Sequence, residues 1–338
     1  MTASNNRISL SDYDVASAQN AVAKIAVRTP VVSCPSLEQR LGASVVLKLE
    51  NLQVTGSFKV RGAANRMLAL SDAERRSGVV TCSSGNHGRA VAYVAELLGI
   101  PATVCVPEWV DPVKLNAIKR HGAEAVLHGS TYDEAEERSY IIESERGLTY
   151  IHPFDDAHVI AGQGTIGLEL LDQFPAIDTA IVPLSGGGLI SGVAVALKSH
   201  RTDIKVIGVS AKNASVMVQS LKVGKPVTVH EEDTIASALS GGIDLNNRHT
   251  FALVRDLVDE HILVSEQEIR SAMEFAADEL KLVVEGGGAV GIAAVLAKQL
   301  EQAQRHVAIV VSGGNVSLDT LVDRESTVRL NNKVTDPS

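Results

Sequence analysis

Lys59 lies in the stretch TGSFKVRGAANRM, residues 55–67, where a glycine-marked turn gives way to a run of helical spacing. An ordinary surface lysine needs no such framing. Either the placing is incidental or the turn aims an amine into a pocket. An amine desolvated there loses proton affinity and can act near neutral pH as a nucleophile toward a carbonyl, and later as a base.

Three further stretches put small polar residues and glycines where an apolar run meets a helical one. In PLSGGGLISGVAVALK (183–198), Ser185, Gly186, Gly187, Gly188 and Leu189 follow the run Thr179–Val182. Glycines let several backbone N–H groups converge, and a helix N-terminus adds partial positive charge, so a phosphate fits without a lysine. In CSSGNHGRAVAY (82–93), Ser83, Ser84, Gly85, Asn86 and His87 offer hydroxyls, an amide and exposed N–H groups, a site for a carboxylate or a phenolic oxygen. In VVSGGN (310–315), Ser312 stands beside two glycines. Each could be no more than a tight turn. Together with the framed lysine they point to one ligand, because open α/β sheets bind ligands at the carboxyl ends of their strands.

The elements that must position these stretches follow a βαβ rhythm. Short β-branched runs at 44–50, 78–84, 102–107, 124–129, 179–185, 205–210 and 306–312 alternate with helical patterns such as 86–98, 112–121, 131–146 and 188–200. Strands apolar nearly throughout are buried on both faces, which predicts an α/β protein of mostly parallel sheets flanked by helices. The length of 338 residues allows two lobes. The rhythm divides them into a large one, 1–68 with 153–338, and a small inserted one, 69–152.

Composition narrows the partners. A net charge of -9, an aromatic fraction of 3% and no Lys/Arg-dense stretch argue against nucleic acid and against an anionic membrane. The uncharged run 180–197 is broken by Pro183, serines and four glycines, so it reads as strand, loop and helix rather than a membrane span. Three widely spaced cysteines, Cys34, Cys82 and Cys105, indicate neither a disulfide framework nor a zinc site. With a polar N-terminal stretch lacking a signal core, a cytoplasmic location is expected. A dinucleotide-binding oxidoreductase is the rival from another class. The spacing of the loop at 183–198 is not GxGxxG, and no acidic residue ends the run KVIGVS to hold a ribose.

TGSFKVRGA, SSGNHG, the glycine loop at 185–189 and VSGGN, in that order, resemble the fold type II pyridoxal-phosphate enzymes of the tryptophan-synthase-β superfamily. Within it the sequence is most similar to the serine/threonine dehydratase and serine racemase family, and HPFDDAHVIAGQGTIGLELL (152–171) extends the likeness along nearly the whole chain. The resemblance implies that Lys59 holds pyridoxal 5'-phosphate as a Schiff base, Phe58 lies against its ring and Asn86 bonds the ring hydroxyl. Ser185 to Leu189 would cradle the phosphate and Ser312 would meet the pyridine nitrogen. Ser83, Gly85, Asn86 and His87 would hold the substrate carboxylate, and Ser84 would face the substrate from the side opposite Lys59. The implied reaction is elimination of water from a β-hydroxy amino acid, giving a 2-oxo acid and ammonia. Racemisation is the alternative, since Ser84 could return a proton to the other face of Cα. A homodimer is expected from the likeness alone.

Two departures matter. Metal-activated members carry an acidic pair where this chain has Ser210 and Val216, and hard divalent cations need carboxylate oxygens, so no Mg²⁺ or Ca²⁺ site is expected. The stretch TIASALSGGIDLNNRHTFALVRDLVDE (234–260) is longer than in serine racemases and lacks their Asp-Gly, leaving Gly241 or Gly242 to line the cofactor. With VVEGGGAVG (283–291) it is similar to the hydroxyectoine-utilisation dehydratase branch, which implies a modified β-hydroxy amino acid as substrate. Glu285, before three glycines, either reaches the cofactor or is a solvated loop carboxylate. Cys82 and Cys105 read as core, and His152 and His158 as structural hydrogen-bonders.

Overall fold

The computed structural model describes residues 14–230, 232–300 and 305–321. The ten strands among them are β1 (Val31–Ser33), β2 (Ser44–Leu49), β3 (Val79–Cys82), β4 (Ala102–Val106), β5 (Glu124–Leu127), β6 (Thr149–Tyr150), β7 (Thr179–Pro183), β8 (Lys205–Ala211), β9 (Glu260–Val264) and β10 (His306–Val311). They form two sheets, ordered β1-β2-β10-β7-β8-β9 and β5-β4-β3-β6. Every pairing is parallel except β1 with β2. The expected α/β architecture is therefore the observed one.

The sequence explains the burial on both faces. Along β10, Val307, Ile309 and Val311 enter one apolar core with Val290 and Ala293 of the helix Gly286–Leu296. The alternate residues, Ala308 and Val310, enter a second core with Ile190 and Val193 of the helix Gly188–His200. β7 splits the same way at Ile181 against Ala180 and Val182. Period-two alternation between two apolar sides is what a helix-covered parallel sheet requires. Cys82 and Cys105, adjacent across β3 and β4, are free and fully buried, their thiols pushed up to about 12 and about 11 mainly by burial. They are core, as read.

One strand that looks apolar hides a charge. Lys48 on β2 is fully buried, and its Nζ donates to Glu169 Oε2 at 2.5 Å, Gln173 Oε1 at 2.7 Å and the Thr29 carbonyl at 2.8 Å. Arg61 joins it from the helix Lys59–Leu68. Its guanidinium grips Glu50 through Nε and Nη2, both at 2.8 Å, and Glu169 through Nη1 at 2.7 Å and Nη2 at 2.9 Å. Two forks on one guanidinium fix that helix in rotation and in height, two residues beyond Lys59.

Candidate active site

The turn before Lys59 is held by the third glycine stretch. The Phe58 N–H donates to the Ser312 carbonyl at 3.0 Å, the Gly314 N–H to the Gly56 carbonyl at 2.9 Å, and Asn315 Nδ2 to the Thr55 carbonyl at 2.9 Å. Gly56 turns with φ +74°, and a Cβ there would lie 2.4 Å from Asn315 Oδ1. Both the backbone angle and the closeness of Asn315 thus require glycine. This clamp is the physical meaning of the framing seen in the sequence: it starts the helix at Lys59.

Lys59 is half-buried, and its Nζ donates to the Pro153 carbonyl at 2.7 Å. Desolvation pulls its pKa down to about 8, against a smaller opposing pull from the Glu285 carboxylate. A neutral amine is therefore available near physiological pH. Phe58 lies beside it, with the ammonium nitrogen 5.3 Å from the ring centre.

Pro153 hands the site on to the phosphate-type loop, because the next residue, Phe154, packs on that loop. A Cβ at Gly186 would meet the Phe154 ring at 2.6 Å, and one at Gly188 would meet the Phe154 backbone at 2.9 Å. Gly187 caps the helix Gly188–His200 in the left-handed region, φ +90°, where Thr250 and Met217 close in. The first N–H groups of that helix have no intrahelical acceptors, which suits its N-terminus to an anion. Ser185 Oγ donates to the Leu239 carbonyl at 2.7 Å, tying the loop to the segment that carries Gly241. Gly241 has φ +115°, and both it and Gly242 have open space where a Cβ would stand. Leu189 is buried.

The second glycine stretch closes the other side. Ser83, Ser84 and Gly85 are half-buried, and the helix Asn86–Leu98 starts after them without a side-chain cap, leaving its first amides to a ligand. The His87 imidazole is buried, with Nε2 at 2.9 Å from the Ile151 carbonyl, and burial pulls its pKa down to about 3. The ring is neutral, Nε2–H is the donor and Nδ1 is without a partner. At this position the main-chain amide, rather than a charged ring, is the group open to an anion. Asn86 Nδ2 donates to Glu285 Oε1 at 2.6 Å, and Asn86 Oδ1 accepts from Asn315 Nδ2 at 2.6 Å.

Glu285 is the residue whose weight sequence reasoning left undecided. It is 8% exposed, not solvated, and burial pushes its carboxyl up to about 7, with the Asn86 bond and the charges of Lys114 and Lys59 opposing. Its place before GGGAVG, at the start of the helix Gly286–Leu296, was visible; its partner Asn86, 199 residues away, was not. Ser312 is buried, with a long 3.4 Å contact from Oγ to the Gly287 carbonyl. His152 acts structurally, Nδ1 accepting from the N–H groups of Phe154 at 3.2 Å and Asp155 at 2.8 Å. Where metal-activated relatives are expected to carry an acidic pair, Ser210 Oγ donates to the Leu184 carbonyl at 2.5 Å and Val216 is buried.

The four stretches therefore converge. The clamp joins 55–59 to 312–315, Pro153 and Phe154 join Lys59 to the glycine loop, and Asn86 joins the second stretch to Glu285 and Asn315. An aldehyde-bearing phosphate ester fits what they offer: an amine of depressed pKa, a glycine cradle at a helix start, and two buried polar atoms without partners, Ser57 Oγ and His87 Nδ1.

Fold and site define a two-sheet α/β enzyme built around a half-buried lysine. The model of the family described as pyridoxal-phosphate dependent enzyme matches residues 22–313, and the chain belongs to that family. It is 43% identical over 311 residues to the L-threonine ammonia-lyase of Thermotoga maritima, covering 92% of this chain and 77% of the relative. The structure of maize serine racemase superposes with a TM-score of 0.87 at 39% identity, covering 94% of this chain and 97% of that one. The processed form of threonine deaminase isoform 2 from Solanum lycopersicum does so with a TM-score of 0.86 at 34% identity, covering 93% and 92%. The cofactor is pyridoxal phosphate and the class is a lyase of the dehydratase type. The oxidoreductase alternative falls with that result.

Proposed function

We propose that this chain removes water and then ammonia from a β-hydroxy amino acid of the threonine or serine kind. The observation that carries the reading is the Pro153–Phe154 link. One dipeptide accepts the Lys59 amine and walls the glycine loop, so one small molecule can engage both. Bound there, pyridoxal phosphate supplies an electron sink for charge released at the substrate Cα.

The chain's own residues supply the rest. Lys59 would hold the cofactor, and its amine, of depressed pKa, would serve as the base for the Cα proton. Ser185 to Leu189 bind the phosphate through main-chain amides, and Gly241 borders the same cradle. Asn86 would meet the ring oxygen, Ser312 the ring nitrogen and Phe58 a ring face. A serine at the ring nitrogen is a weak proton donor, which favours elimination over transamination. Ser83, Ser84, Gly85, Asn86 and the His87 amide receive the substrate carboxylate at the start of their helix. Loss of the Cα proton and of the Cβ hydroxyl leaves an enamine that hydrolyses to 2-oxo acid and ammonia.

Two of the three named relatives, the L-threonine ammonia-lyase and the threonine deaminase, carry threonine in their names, which supports a threonine-like substrate. The extended stretch 234–260 keeps a hydroxyectoine-derived amino acid as the second candidate. Among the described residues no helix is long and apolar enough to cross a membrane. We further propose a cytoplasmic enzyme with a small lobe, 69–152, carrying β3 to β6, set into a large one, 1–68 with 153–338. Exposed Leu52, Val54 and Val283, drawn together where Asn51 Nδ2 donates to the Val283 carbonyl, offer a face that a second copy would cover in a homodimer.

The test is to incubate the loaded enzyme with L- and D-threonine, L- and D-serine and ring-opened hydroxyectoine derivatives, and to measure 2-oxo acid and substrate enantiomer together. Oxo acid in excess is expected. Enantiomer with no oxo acid would make the chain a racemase and overturn the reading.

A further inference from the structure

A side-chain chain of hydrogen bonds, absent from the roles above, runs into the site through Asn86. Arg89 Nη1 donates to Asn315 Oδ1 at 2.7 Å, Asn315 Nδ2 donates to Asn86 Oδ1 at 2.6 Å, and Asn86 Nδ2 donates to Glu285 Oε1 at 2.6 Å. A carboxamide can be placed either way round, so its partners decide which end is oxygen. Here the direction is fixed at Asn315. The Arg89 guanidinium only donates to its Oδ1, and the Thr55 carbonyl, at 2.9 Å from its Nδ2, only accepts, so Asn315 and through it Asn86 are polarised in one direction. Turning either asparagine over would set donor against donor or acceptor against acceptor at 2.6–2.7 Å in a half-buried setting.

We infer that Arg89 and Glu285 are positioning residues that fix the Asn86 carboxamide so that it presents an N–H, never its oxygen, to the cofactor's ring oxygen. Asn86 has two N–H groups and one oxygen. The oxygen is committed to Asn315 and one N–H to Glu285, which leaves one N–H over. A donor in that place favours the ionised ring oxygen over the protonated one, because hydrogen bonding to a charged form stabilises it. The residues come from three separate places, the second turn-helix junction, the third glycine stretch and the start of the helix Gly286–Leu296, and no local motif requires them to agree. The inference rests on the assignment of Asn86 to the ring oxygen.

The experiment compares loaded wild type with Glu285→Gln, Arg89→Gln, Arg89→Lys and Asn86→Ala. Absorption spectra report the ratio of the ionised-oxygen to protonated-oxygen bands of the lysine-linked cofactor, and titration of apoprotein reports cofactor affinity. Glutamine at either end can both donate and accept, so a charged anchor of the series is lost and its polarity rests on the Thr55 carbonyl alone. Glu285→Gln and Arg89→Gln are expected to move the band ratio at least twofold toward the protonated form. Cofactor affinity should fall about tenfold, the weight of one charge-assisted hydrogen bond. Arg89→Lys keeps a donor-only end and should keep the wild-type ratio. A merely structural role would not sort the variants by donor capacity. If Asn86→Ala shifts the ratio and both glutamine variants leave it at the wild-type value, the polarity inference is overturned and the Asn86 assignment stands. If Asn86→Ala leaves it unchanged, the assignment and the inference fall together. Should Glu285→Gln not accumulate as folded protein, Arg89→Gln, at the half-buried end, decides alone.

Discussion

Replacing Arg61 with methionine tests how the lysine-bearing helix is held. The change removes both forks, the 2.8 Å pair to Glu50 and the 2.7 and 2.9 Å pair to Glu169, and leaves Lys48 alone facing two buried carboxylates. Removing one partner from a buried ion pair costs about 3–5 kcal/mol, because the abandoned charge stays desolvated. That is a large share of the ~5–15 kcal/mol that holds a typical domain together. The pH dependence is more diagnostic than the size. In the intact protein burial pushes the Glu50 carboxyl up, but Arg61, Thr29 and Lys48 together bring it below the ordinary carboxylate range. Its contribution is present above the unfolded pKa and lost as pH falls through the folded one. Without Arg61 the burial effect wins, the folded pKa rises above the unfolded value, and the folded state takes up the proton first. The variant's deficit must therefore shrink as pH falls toward the carboxylate range. Urea unfolding of apoprotein at pH 8 and pH 5 reads both quantities. A deficit under about 1 kcal/mol at pH 8, or one that does not change with pH, would refute this account of the network.

Gly187→Val forces a branched side chain into φ +90° against Thr250, with Cβ 2.9 Å away; backbone strain of about 1–3 kcal/mol predicts a cofactor dissociation constant raised by about five- to a hundredfold, read by fluorescence titration. With the Lys59 amine at about 8, the rate of cofactor uptake by apoprotein should climb with pH through that value and then level off; a profile already flat from pH 6 would contradict it. The same depressed amine makes the unfolded chain the better proton binder, so its contribution to apoprotein stability should rise from about pH 8 to 10.5. Because Ser210 is spent on the Leu184 carbonyl and Val216 brings no oxygen, EDTA or added Mg²⁺ should leave turnover unchanged, and a several-fold response would refute that reading.

What the sequence made legible was local. The run Thr179–Val182, its glycines and the helix 188–200 lie within 22 consecutive residues, so period and turn chemistry sufficed to find them. Strands β1 and β6 escaped because three and two residues carry no period, and β9 escaped because EHILV alternates only weakly behind a helix. The ion pair of Lys48 was not legible in the run 44–50 because its counter-ion, Glu169, is 121 positions away. The stretches with small residues and a lysine were recognisable one by one. Their connectors, the Pro153 carbonyl, Glu285 and Asn315, are ordinary in type and act through contacts that only the tertiary fold creates.

The most direct measurement is borohydride reduction of the loaded enzyme, followed by proteolysis and mass mapping of the pyridoxyl group. The account predicts a single stable adduct on the ε-nitrogen of Lys59, with loss of the long-wavelength absorption. An adduct on any other lysine, or cofactor released intact after reduction, would contradict it.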